Sequence, residues 1–255
     1  MSLRHGQSGL TLIELMIALV IGLLIIAGVG EVFLAGRASY SVQQRLSDLQ
    51  ENGRFALHFL QSDIRRAGYP NSNTGIDAFS TKTPAASCPP KVISDSWTCD
   101  GGGNAPDMIS ISYEGGRDCL GQKVPGLVIN TYYVDAPKDR LKGQTFGSLM
   151  CHGNGGPRGQ PLVSGIENMQ ILYGEDTDSN GYANRYVRAD EVSNWANVVS
   201  VRIAVLASTV DAVAGDDPGD SRTYRLLDAS ATTPLPARVR ARVFQTTVEV
   251  RNRTP

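Results

Sequence analysis

From Leu10 to Phe33 almost every position is apolar, and from Leu15 to Gly30 there is no charged side chain. About 21 such residues at 1.5 Å each make roughly 30 Å of helix, the thickness of one bilayer core. The pattern then changes rather than ending. Val42, Leu46, Leu49, Gly53, Ala56, Leu60, Ile64 and Ala67 recur at steps of three and four, while Gln43, Arg45, Asp48, Gln50, Arg54, Gln61 and Arg65 occupy the other face. No proline intervenes before Pro70. The spacing therefore predicts one helix over 10–66, roughly 80 Å long, half in lipid and half lying on a folded domain. Gly22, Gly28, Gly30, Gly36 and Gly53 each weaken it by about 1 kcal/mol relative to alanine, and they permit close approach by another helix.

Beyond Pro70 the helical period disappears and Gly, Pro, Ser and Asn become frequent, above all between Pro70 and Pro106, which reads as loop. Strand alternation follows at Met108–Tyr113, Leu127–Val134, Gly165–Tyr173 and Val198–Leu206. In the last apolar stretch Val239, Ala241 and Val243 share a face, but from Phe244 the apolar set moves to Phe244, Val248 and Val250. That phase change predicts a bulge or bend near Val243. An antiparallel sheet wrapped on the outer half of the helix would bury the stripe from Val42 to Ala67, so the expected class is α+β.

Composition narrows the function. The 255 residues are ample for a packed core, and 24 basic against 25 acidic residues leave a net charge of −1. The basic residues are scattered, which speaks against nucleic acid as a partner, since phosphate binding needs a basic face. Cys88, Cys99, Cys119 and Cys151 lie beyond the apolar stretch in no Cys-x-x-Cys spacing, a pattern favouring disulfides in an exported domain. Four cysteines allow three pairings, and spacing does not decide among them; the working expectation is Cys88 with Cys99 and Cys119 with Cys151. The first bridge would staple the loop region, worth roughly 2–3 kcal/mol for a loop of that length.

Glu14 is the oddity, an acid near the start of the apolar run. A charge in mid-bilayer costs roughly 2.5–3.5 kcal/mol and marks a functional position. A cleaved secretory signal would have a shorter apolar stretch and no such acid, although Ala27, Gly28 and Gly30 supply small residues of the cleavage-site type.

Gly9 followed by Leu-Thr-Leu-Ile-Glu and the apolar run resembles the class III signal of type IV pilins and of the pseudopilins of type II secretion. The resemblance implies a leader, 1–9, removed after Gly9 by a prepilin peptidase, methylation of the new N-terminus at Leu10, and an assembly role for Glu14, fifth from Leu10. Leucine stands where phenylalanine is commoner in that family. "LQENGRFALHFLQSDIRRAGY", "GIENMQILYGEDTD" and "RVFQTTVEVRNR" extend the resemblance to the PilW family of minor pilins, with the related J-type pseudopilins as the neighbouring choice. A free amine on Leu10 of one subunit could then compensate a buried Glu14 of the next and set their register.

The implied organisation is the leader, a helix over 10–66 whose residues 10–30 span the membrane, and a β-rich domain over 67–255. The implied protein sits in a bacterial inner membrane by a single pass, with its outer domain in the periplasm, and enters a pilus. As a minor pilin it would help initiate assembly or form the tip, supporting motility and adhesion. Its partners would be other major and minor pilins and the assembly machinery. A minor pseudopilin of type II secretion and an adhesive or calcium-binding tip module are the alternatives.

Other motifs carry less. "DTDSNG" places Asp176, Asp178 and Asn180 at alternate positions before Gly181, like the opening of a calcium loop, but position twelve falls on Val187; the same residues suit a polar hairpin tip. Calcium is the one cofactor to consider. His152 stands alone beside Cys151 and reads as a loop residue, His58 lies within the helix, and Gly101-Gly102-Gly103 lacks the Lys-Ser/Thr of a phosphate loop. No enzyme signature is present.

Overall fold

The computed structural model describes residues 11–69, 75–81, 88–89, 97–135, 146–211, 223–229, 235 and 239–252. Gly9 and Leu10 lie outside the described residues. A single helix, α1, runs over Leu12–Ile64. The chain divides into two compact units, Met1–Gln44 and Arg45–Pro255, and the division falls within α1 rather than at its end. The physical reason is packing: Leu49 is the first residue of the helix to be buried.

In the second unit the stripe expected from Val42 to Ala67 is buried only from Leu49 onward, through Gly53, Ala56, Leu60, Ile64 and Ala67. Leu46 remains 37 % exposed and Val42 is only half-buried, so the first two positions of the stripe are a correction. The α1 helix ends at Ile64, and residues 65–68 form a turn that hands the chain on through the Gly68 N–H to the Ser112 carbonyl, 2.8 Å.

Two antiparallel sheets receive the helix. The first has the order β1-β2-β3-β4, with β1 Ile109–Arg117, β2 Lys123–Asp135, β3 Ser148–Gly153 and β4 Gln160–Ser164. The second has the order β6-β5-β7-β8, with β5 Ile166–Glu175, β6 Arg185–Val187, β7 Val198–Ser208 and β8 Ala241–Glu249. Gly165 makes the passage between them at φ +75°, and a Cβ there would lie 2.6 Å from the Ser208 carbonyl oxygen, so only glycine fits. One continuous core joins Leu60 and Ile64 of α1 to Ile109, Val128 and Tyr132 of the first sheet and to Met169, Ile171, Val201 and Ile203 of the second.

The bulge expected near Val243 is absent. β8 pairs with β7 without a shift from Ser200 opposite Glu249 to Ser208 opposite Ala241. The apolar phase changes because the two faces of β8 are covered at different ends: Ala241 and Val243, at the start of one face, pack with Leu206 and Leu226, while Phe244 and Val248 on the other face join the main core. Phe244 also explains Gly53, where a Cβ would fall 2.4 Å from the ring.

Candidate functional site

The first unit is a bare apolar helix. Leu12, Ile13, Leu15, Met16, Ile17, Leu23, Leu24, Ile26, Phe33 and Leu34 are all more than half exposed. Among the described residues α1 is the one helix long and apolar enough to cross a membrane, and its most apolar window is entirely uncovered. Such a surface is stable only in lipid or against other apolar helices.

Glu14 lies in the first turn of α1. Thr11 precedes the helix and its Oγ1 accepts the Glu14 N–H at 3.4 Å, so Thr11-x-x-Glu14 has the sequence and position of a capping box. An acid in that turn interacts favourably with the helix dipole, by about 0.3–1 kcal/mol. The spacing was readable in the sequence, and it lowers the burden of keeping a carboxylate there.

In the second unit an acid missed by the apolar pattern ties the helix to the first sheet. Asp63 is 2 % exposed, on the face shared with Leu60, Ile64 and Ala67. Its Oδ2 accepts hydrogen bonds from Asn130 Nδ2 at 2.6 Å and Tyr132 Oη at 2.7 Å, and Oδ1 pairs with the Arg66 guanidinium. Arg66 lies over the Tyr113 ring, 4.5 Å from its centroid, and Asn130 also donates to Tyr113 Oη at 3.1 Å. Burial, then the neighbouring Asp63 charge, pushes the Tyr132 phenol well above its ordinary value and that of Tyr113 up to about 12. Both phenols therefore keep their protons near neutrality, and Tyr132 stays a donor. For Arg66 burial acts downward, but Asp63 and Tyr113 outweigh it and raise its pKa. The i,i+3 pairing of Asp63 with Arg66 was the available sequence signal.

The network reaches the cysteines through the Cys119 N–H, which donates to Asn130 Oδ1 at 2.9 Å. Cys119 is bonded to Cys151 and Cys88 to Cys99, with Cα separations of 6.5 and 5.3 Å. The first of these joins the turn after β1 to strand β3. His152 belongs to β3, opposite Thr131, and is 3 % exposed, which corrects its reading as a loop residue. Its Nε2 lies 3.2 Å from the Gly156 carbonyl, and its Nδ1 has no hydrogen-bond partner among the described residues.

Asp176, Asp178 and Asn180 come together at the tip between β5 and β6. Both Asp176 oxygens are already engaged: Oδ1 accepts the Asn180 N–H at 3.2 Å and Oδ2 the Gly181 N–H at 2.7 Å. Asn180 Nδ2 donates to Asp178 Oδ2 at 3.1 Å, and Asn180 Oδ1 accepts the Tyr182 N–H at 2.8 Å. Desolvation would raise the Asp176 pKa, but the Gly181 and Asn180 amides prevail and lower it. The turn is satisfied by its own hydrogen bonds, and a cation would have to displace them. Among the described residues no group of three or more His, Cys, Asp and Glu side chains is arranged to hold a metal.

At the base of the same hairpin Glu175 is fully buried. Its Oε2 meets Arg185 Nε at 2.8 Å, and Oε1 accepts from Ser193 Oγ at 2.7 Å, the Ser193 N–H at 2.9 Å and the Asn194 N–H at 3.1 Å. Burial acts upward on this acid, yet the Ser193, Asn194 and Arg185 hydrogen bonds together lower its pKa. Glu175 fixes the loop that follows β6 and is a structural group.

Comparison with known proteins bears on this arrangement at both ends. No curated protein matches the chain in sequence. Among solved structures, a type IV-like pilin from Thermus thermophilus is 13 % identical with a TM-score of 0.43, over 81 % of this chain and 97 % of that one. The prokaryotic N-terminal methylation motif matches residues 4–30, the stretch holding Glu14 and the bare apolar helix. The family model of the type IV pilus-assembly protein W, PilW, matches residues 131–252, from within β2 past the end of β8. With the methylation motif at the apolar end and the PilW model across the sheets, the chain is similar over both regions to type IV pilin-like proteins, and over 131–252 to the PilW family of type IV pilus-assembly proteins.

Proposed function

We propose that the protein is a structural subunit that helps to initiate a type IV pilus or to form its tip, and that it has no catalytic role. The observation that carries this reading is the uncovered apolar helix with Glu14 in its first turn. In this account a prepilin peptidase removes residues 1–9, Leu10 is methylated, and the helix waits in the inner membrane by a single pass with the second unit in the periplasm. At assembly the amine of Leu10 on one subunit meets Glu14 of a neighbouring major or minor pilin. Two opposite charges desolvated together offset much of the penalty that each carries alone, so the pair favours one axial register over its neighbours. On the second unit Phe55 and Phe59, 47 % and 37 % exposed, offer apolar contacts of their own to neighbouring subunits.

Maturation tests this reading at its first step. Gly9→Ala should leave an unprocessed, slower-migrating species on an immunoblot of membranes. Normal processing of that variant would count against it.

A further inference from the structure

The outer face of the second sheet, turned away from the helix, has a concavity that assembly leaves unexplained. Tyr186, Gly174, Ser200 and Glu249 stand directly opposite one another across β6, β5, β7 and β8, and Arg202 and Thr247 are opposite one another in the next row on the same face. Gly174 contributes no side chain, and a Cβ there would meet Ser200 Oγ at 2.3 Å and the Ala183 Cβ at 2.7 Å. The gap lets the Asp176–Gly181 tip and the segment after it fold down as one wall. The result is an open cavity of about 480 Å³ lined by Tyr182, Tyr186, Ser200, Thr247 and Glu249 among others. That volume falls in the range of small-molecule sites, roughly 300–1,000 Å³.

The lining identifies the chemistry. Tyr182 is 77 % exposed, so an aromatic face stands in water beside the cavity. Glu249 and Thr247 are exposed at the end of β8, where they can exchange hydrogen bonds with a ligand. An anion is disfavoured by Glu249. A cation is disfavoured because the Arg202 guanidinium already lies over the Tyr186 ring, 4.0 Å from its centroid. A ligand that is uncharged, rich in hydroxyls and apolar on one face satisfies both charges and both rings. We propose that this cavity binds a short neutral carbohydrate, with the C–H face of a sugar against Tyr182 and vicinal hydroxyls donating to Glu249. The site lies wholly within the second unit, so its occupancy does not depend on maturation of the N-terminus.

The test uses the full chain labelled with fluorotyrosine, in micelles of an amine-oxide detergent so that no glycosidic detergent competes. Fluorine resonances of Tyr182 and Tyr186, assigned with Tyr182→Phe and Tyr186→Phe, are followed during titration with the methyl glycosides of glucose, galactose, mannose and N-acetylglucosamine. At least one should shift both signals saturably in the millimolar range, and Glu249→Gln should weaken that binding about tenfold while leaving the other tyrosine signals in place. No saturable shift up to roughly 50 mM, far beyond millimolar binding, would overturn the proposal. So would a response to tetramethylammonium alone, or binding that Glu249→Gln leaves unchanged.

Discussion

Replacing Asp63 with alanine should be among the most damaging single changes in the second unit. The substitution removes the acceptor for Asn130 and Tyr132, which are 0 % and 2 % exposed, and leaves the Arg66 guanidinium without its partner. An orphaned buried donor costs about 1–3 kcal/mol, and breaking a buried ion pair about 3–5 kcal/mol. Two features pull the sum toward the lower end. Arg66 is 51 % exposed and rehydrates, and Asn130 keeps its bond to Tyr113 Oη. The expected loss is therefore about 3 kcal/mol, or roughly 6–12 °C in Tm for a chain of this size. Asp63→Asn retains one acceptor oxygen and should lose about half as much. Thermal unfolding of the full chain in detergent, followed by the tyrosine signal in near-ultraviolet circular dichroism, measures both. A loss below about 1 kcal/mol for Asp63→Ala would refute the reasoning, because the network would then not hold the end of α1 to the first sheet.

A second expectation concerns pH. Asp107 is 3 % exposed, and burial, reinforced by the charge of Asp100 and opposed by the Gly101 and Ile171 amides, pushes its pKa from the ordinary 3.8 up to about 8. The folded form thus holds a proton that the unfolded chain releases near pH 4, so this group's stabilisation is complete below about pH 4 and is lost as pH rises through about 8. Chemical denaturation between these limits should show wild-type stability falling more steeply with pH than that of Asp107→Asn, whose side chain does not titrate; parallel profiles would contradict it. A third concerns the hairpin tip. If calcium enters the loop, calorimetry on the full chain should give heat of binding that Asp178→Ala abolishes, whereas a flat titration leaves the self-satisfied turn as its whole role.

Strands β1, β2, β5 and β7 were legible because β-branched and aromatic residues fill them, with Ile109, Ile111 and Tyr113 alternating with Ser110 and Ser112 in β1 and Val201, Ile203 and Val205 with Ser200 and Arg202 in β7. β3, β4 and β6 were not. β3 carries Cys151, His152 and Gly153 in place of β-branched residues, β4 contains Pro161, which an edge strand tolerates, and β6 is only three residues long. The kink expected in β8 failed because its two faces meet apolar cover at different ends, Ala241 and Val243 at the start of one face and Phe244 and Val248 further along the other, which mimics a slipped register. Along α1 the apolar stripe was correct wherever the fold covers it, but periodicity has no way to mark Asp63, whose burial depends on Asn130 and Tyr132 far along the chain. Glu14 was conspicuous because lipid makes any acid costly; its place in the first turn behind Thr11 adds a local stabilisation that hydropathy does not register.

The account rests most heavily on Glu14, and the most direct measurement is the fate of Glu14→Ala in cells. Removing the carboxylate spares roughly 2.5–3.5 kcal/mol of insertion cost at most, less for a residue near the helix end, so membrane levels should be normal or raised. Processing at Gly9 should be unaffected. Pilus number and motility should fall, since the incoming Leu10 amine finds no partner and register is lost at the step that begins each fibre. A Glu14→Ala protein that is cleaved, inserted and fully able to support pilus formation would contradict the account.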